Sequence, residues 1–230
     1  MSFFSNASGA AAEIAARTAQ RESMKKGKSK EQKKCIDFLF DLPTKGCGCL
    51  GKPTITMKEY MDIVNQKLQN INFRERALQK IALDPSQVQE IPPVVFNSFI
   101  YDDSCLVRID DDVAVSSQYS VTWIFFSATQ LYTYQYIFDT TSDNTWEITK
   151  DFFYSDVTCF ITERDVREKI EITNGCILSG ESIEKTHYVV DLLKIIVPGA
   201  SYEFSLRNSG TIEQSIQAAK AMLREKKYQN

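Results

Sequence analysis

Cys47-Gly48-Cys49, with Cys35 twelve residues earlier, is the nearest approach in this chain to a metal-binding pattern. Structural zinc takes four tetrahedral ligands, usually from paired CxxC units or a CxxC with two histidines. CxC is a poorer chelate, and a second pair is missing, so His187 or Cys105 would have to be brought in by the fold. Two readings stand for Cys35, Cys47 and Cys49: a zinc centre, or a flexible Gly/Cys loop with free thiols. The spacing favours the loop. His187 is the single histidine, which excludes an HExxH helix and any paired-imidazole chemistry. A Cys–His nucleophile pair is formally available, but no cysteine and no orienting carboxylate is placed beside His187 by sequence. Asp102, Asp103, Asp110, Asp111 and Asp112 lack the spacing and the turn glycine of a calcium loop. They read as solvated turns. No catalytic, cofactor or metal residue is assigned, and the chain reads as a non-enzyme without a cofactor.

Charge is where the sequence is most informative. The net charge of −3 over 230 residues conceals two unequal parts. Residues 1–34 carry Arg17, Arg21, Lys25, Lys26, Lys28, Lys30, Lys33 and Lys34 against Glu13, Glu22 and Glu31, a balance of +5 that leaves −8 for the rest. This basic arm begins with a bulky tip, Phe3 and Phe4. An alanine-rich helical stretch follows, with Ile14 as its large aliphatic residue, and then a Lys-rich run over Lys25–Lys34 that reads as a linker. The candidate interaction residues are Phe3, Phe4, Ile14, Arg17, Arg21, Lys25, Lys26 and Lys28. Positive charge beside an acidic body suits protein partners, above all other copies of the chain; the second reading is an anionic membrane surface gripped by Phe3, Phe4 and the lysines. Aromatics do not interleave the lysines, so specific nucleic-acid recognition is not expected. No secretory leader and no run of roughly 20 apolar residues is present, so the expectation is a cytoplasmic protein, peripheral at the membrane under the second reading, with its six cysteines reduced.

Three regions must position these residues. After the arm, residues 35–93 form a small helical region interrupted by the loop Pro43–Pro53. Thr56 and Glu59 have capping-box spacing, and the apolar pattern predicts helices over 57–69 and 73–82. Residues 94–230 make up the third region. It changes to period two, as in Tyr132, Tyr134, Tyr136 and Phe138, or Val121, Trp123 and Phe125. Strands are predicted over 94–101, 104–109, 119–127, 130–138, 145–154, 157–163, 167–173 and 186–206 with a break at Pro198-Gly199. Tyr101–Ser104 is read as the first hairpin turn. Period 3.6 returns over 210–227 with the stripe Ile212, Ile216, Ala219 and Leu223.

Seven or so antiparallel strands and one closing helix resemble the pleckstrin-homology-like (PH-like) domain. The segment Ser120–Ser127 through Gln130–Tyr134, with Phe152–Thr158, also resembles bacterial proteins carrying such domains. The resemblance covers roughly residues 94–227. It implies an α+β chain with a PH-like antiparallel β-barrel or sandwich capped by the C-terminal helix, used for docking and self-association. Lipid-binding relatives grip inositol phosphates with basic residues around the first hairpin. Here that region carries five aspartates and Arg108, so phosphoinositide is not an expected ligand.

Overall fold

A computed structural model describes residues 18–40, 55–88, 91–110, 113–174, 181–206 and 210–228. Residues 18–25 are helical (α1), and the chain then reverses at Lys26-Gly27, where Gly27 has φ +70°, a conformation that costs glycine little. The run read as a linker instead becomes helix from Lys30: α2 spans Lys30–Phe40. Its start is fixed by a reciprocal cap, because the Gln32 backbone N–H donates to Ser29 Oγ and the Ser29 N–H donates to Gln32 Oε1. The apolar segment Cys35–Phe40 is the far half of that helix, and it buries Cys35, Ile36, Phe38 and Leu39. Helices α3 (Met57–Gln69) and α4 (Phe73–Lys80) follow, α3 opened by the Thr56–Glu59 capping box.

Among the described residues nine strands make three antiparallel sheets. The first has the order β1 (Val94–Ile100), β4 (Gln118–Phe126), β5 (Gln130–Asp139), β6 (Thr145–Phe153). A two-stranded hairpin of β2 (Leu106–Asp110) and β3 (Val113–Ser116) is inserted between β1 and β4. The third sheet is β7 (Cys159–Asn174), β8 (Glu181–Val197) and β9 (Ala200–Leu206), and α5 (Gly210–Tyr228) closes the chain.

The four-stranded sheet is the middle layer. On one side Tyr119, Phe125, Tyr134, Tyr136 and Phe138 share a core with Cys35, Phe38, Leu39, Tyr60, Val64, Ala77 and Leu78 of the helices. On the other side Val94, Phe96, Ile124, Phe126, Leu131 and Phe152 pack with Phe160, Leu193, Ile195 and Phe204 of the third sheet and with Ile216, Ala219, Met222 and Leu223 of α5. Both parities of β4 are therefore buried, which is why its sequence is nearly all apolar or small.

Three expectations need correction. The sheets do not close into a barrel: the chain leaves β6 through the turn at Tyr154–Asp156 and starts a separate ladder at β7, so β6 and β7 each keep an outer edge that no described strand pairs with. Tyr101–Ser104 is a turn but not a hairpin turn, because β1 pairs with β4 and β2 with β3. And the two strands expected over 157–173 are one continuous strand. The charges at Glu163, Arg164, Asp165 and Arg167 broke the apolar alternation, yet they stay in the ladder. Glu163 and Arg164 are matched by Lys194 and Asp191 of β8, while Arg167 bonds Asp165 two residues away. What holds of the expected architecture is α+β, with antiparallel sheets and a C-terminal helix.

Candidate docking surface

The basic arm is partly built into the fold. Arg21 and Lys25 are one helical turn apart on α1, and both reach Asp37 of α2. Arg21 Nε donates to Asp37 Oδ1 at 2.7 Å, and Lys25 Nζ contacts the same oxygen and, at 3.0 Å, Glu22. The bond to Asp37 holds the Lys25 ammonium above its ordinary range, against a smaller opposing effect of burial. Lys26 is exposed and Lys28 half-buried in the turn that follows. Phe3, Phe4, Ile14 and Arg17 lie outside the described residues, as do Cys47 and Cys49. Among the described residues no three His, Cys, Asp or Glu side chains converge as a metal site would require.

Cys35 sits in the helix-facing core at 0% exposure, and burial pushes its thiol up to about 12. It is a protonated packing group at neutral pH. Beside it the Tyr60 hydroxyl donates to the Ser116 carbonyl at 2.7 Å and shares a 2.8 Å hydrogen bond with Thr140 Oγ1. Burial drives that phenol well above its usual range. His187 is exposed on β8, opposite Glu168 in the ladder. The groups with the largest shifts thus serve the core.

A second cluster joins the helices to the sheet. Arg76 meets Glu147 of β6 with Nη2 at 2.7 Å from Oε1 and Nε at 3.1 Å from Oε2, while Lys80 Nζ approaches Oε1 at 3.4 Å and Tyr134 donates to Oε2 at 2.9 Å. The Arg76 bonds lower the Glu147 carboxyl to about 2, with burial opposing. Burial first, and the bond to Glu147 second, raise the Tyr134 phenol.

Among the described residues one open feature is a groove of about 400 Å³ between the third sheet and α5. Its lining joins Leu192, Leu206 and Ile216 to Thr162, Glu163, Arg164, Asp191 and Glu213. Leu192 and Ile216 are each 2% exposed, so the apolar part is packed from below. Arg164 Nε donates to Asp191 Oδ1 at 3.0 Å, and Lys220 of α5 reaches Thr162 Oγ1 at 3.4 Å. Charge also crosses this sheet. Lys194 bridges Glu163 and Glu203 at 2.9 and 3.1 Å, and Arg167 binds Asp165 at 3.3 Å and Asp102 at 2.7 Å. Asp102, read as a solvated turn, is thereby tied to β7.

Of the interaction residues named from sequence, the described ones, Arg21, Lys25, Lys26 and Lys28, do not line this groove. Sequence reading missed the groove because its walls, 162–164, 191–192 and 213–216, meet only through tertiary packing. The one available signal was Ile216 in the stripe of α5. No protein-family model matches the chain, and neither a curated protein nor a solved structure matches it.

Proposed function

We propose that this chain is a non-catalytic docking scaffold with a PH-like unit, which binds protein segments and associates with copies of itself. Four strands in one antiparallel sheet, then a three-strand meander, then a helix is the element order that the PH-like resemblance implies, with β2 and β3 as an insertion and without barrel closure. The groove between the third sheet and α5 carries the reading. Its volume lies within the range of ligand sites, and an apolar floor with a charged rim suits an extended peptide better than a small polar substrate. The perturbed groups support a binding role. Cys35, Tyr60 and Tyr134 are held protonated and Glu147 is held ionised by the helix-facing core and its ion pair, and none of them lines the groove. Arg21 and Lys25 are engaged by Asp37, which leaves the arm fewer free cations for a lipid surface than its composition suggests.

The test is selection of peptides from a displayed random library on the full chain, followed by counter-selection on a Thr162→Trp variant. Thr162 is exposed at the groove wall, so the added ring fills the groove without disturbing the core. Peptides that bind the parent and lose at least about tenfold in affinity to the variant support the reading; tenfold corresponds to about 1.4 kcal/mol. Peptides indifferent to the substitution refute the groove as the docking site.

A further inference from the structure

The outer edge of β7 carries a sequence that is complementary to itself. Around Val166 the strand reads Glu163-Arg164-Asp165-Val166-Arg167-Glu168-Lys169. No described strand pairs with this edge, and Val166 is 60% exposed there, the most exposed large apolar residue among the described residues. Two identical strands related by a two-fold axis normal to the sheet keep each side chain on its own face. They therefore pair antiparallel only in registers centred on one residue. Centred on Val166, the register sets Asp165 opposite Arg167, Arg164 opposite Glu168, Glu163 opposite Lys169, and Val166 opposite itself. From Glu163 to Lys169 every charged position meets its opposite, and each pairing occurs twice. Moving the centre by one or two residues destroys this: it sets Asp165, Arg167, Arg164 or Glu168 against its own twin.

The backbone is suitably placed. Thr158 N–H donates to the Ile196 carbonyl, so even-numbered residues of β8 turn their backbone groups toward β7. Their partners in the ladder are odd-numbered, which leaves Arg164, Val166 and Glu168 with backbone N–H and C=O directed outward. The strand holds no proline, and its pairing with β8 runs from Cys159 to Asn174 without a bulge, so the edge lacks two of the usual guards against another strand. The outer edge of β6, which likewise pairs with no described strand, does not offer the same match. Centred on Thr149 it opposes Glu147 and Asp151; centred on Glu147 it opposes that residue to itself; centred on Ile148 it leaves Lys150 facing Trp146.

We infer that β7 is the self-association surface: two copies join their β7 edges about Val166 and make one continuous sheet in the order β9-β8-β7-β7-β8-β9. The inference rests on the reading of the chain as a self-associating scaffold. It does not depend on the peptide groove.

The experiment measures the mass of the full chain by sedimentation over a range of concentration and salt. The parent forms a dimer that weakens as salt rises, because exposed opposite charges are screened. Val166→Pro removes an outward N–H and leaves the β8 ladder intact, so the dimer weakens at least about tenfold. Arg164→Glu and Glu168→Arg each set like charges opposite and weaken it comparably. An equimolar mixture of these two variants regains the dimer, since the acidic positions of one copy then face the basic positions of the other. That rescue is the result a merely misfolded variant cannot give. A parent that is monomeric at every concentration overturns the inference. So does a dimer indifferent to Val166→Pro and to both charge reversals, an outcome that leaves self-association standing and moves it to another surface.

Discussion

Arg76 and Glu147, 71 positions apart, form a two-pronged ion pair with N–O distances of 2.7 and 3.1 Å that fastens α4 to the edge strand β6. The guanidinium also lies 5.3 Å from the centroid of the Tyr136 ring, so one side chain spans carboxylate and aromatic.

Glu147→Gln is expected to lower stability by about 1–2 kcal/mol, because it removes a charge-assisted pair on a half-buried acid and leaves Arg76 without its anion. Acid unfolding checks the same point. The folded carboxyl titrates at about 2 against an ordinary 4.5, so its contribution is present above about pH 4.5 and is lost as pH falls toward 2. Denaturant midpoints at pH 7 and pH 3 should converge between parent and variant; equal gaps at both pH values would contradict the assignment.

Tyr60→Phe deletes one hydroxyl that serves both the Ser116 carbonyl and Thr140 Oγ1. Both partners are buried, so a loss of about 1–3 kcal/mol is expected in urea unfolding, with the slope unchanged. A loss below a few tenths would mean that water replaces the hydroxyl.

Alkylation of Cys35 at pH 8 should require unfolding. The thiol is fully buried and held protonated, whereas Cys105 and Cys159 are half-buried. Peptide mass mapping after iodoacetamide should find Cys35 unmodified in the native protein and modified in denaturant; ready native labelling would show that α2 opens.

Asp37→Asn should release α1, since Asp37 receives both Arg21 and Lys25. Trypsin cleavage after Arg21 or Lys25 is expected to speed up severalfold while the melting temperature moves little, because exposed or half-exposed pairs contribute about 0–1 kcal/mol. An unchanged cleavage rate would mean that other contacts hold α1.

Local chemistry was readable in the sequence, and assembly was not. The capping box at Thr56 and Glu59 placed α3 correctly from Met57 to Gln69, since it is a four-residue signal with its own hydrogen bonds. The expected strands fall within about five residues of seven of the nine described strands, because alternation and continuous apolar runs record which side chains face a core. The start of α2 was missed: a lysine-rich surface looks like a linker unless the Ser29–Gln32 cap is noticed. β3 escaped because four residues are too few to show a period. Sheet membership was hidden for a different reason. Alternation says that a face is buried but not against what, so Tyr134 facing helices and Leu131 facing α5 look alike. The groove has only Ile216 in the α5 stripe as a local signature, and the Arg76–Glu147 pair has none.

The burial of β4 on both faces has a consequence for biosynthesis. Its two coverings come from opposite ends of the chain, residues 35–88 made before it and residues 157–223 made after it. Until the third sheet and α5 are made, Phe96, Ile124, Phe126 and Leu131 lack the residues that cover them in the folded protein. Chaperone engagement should peak in that interval and end when the amphipathic stripe of α5 leaves the exit tunnel.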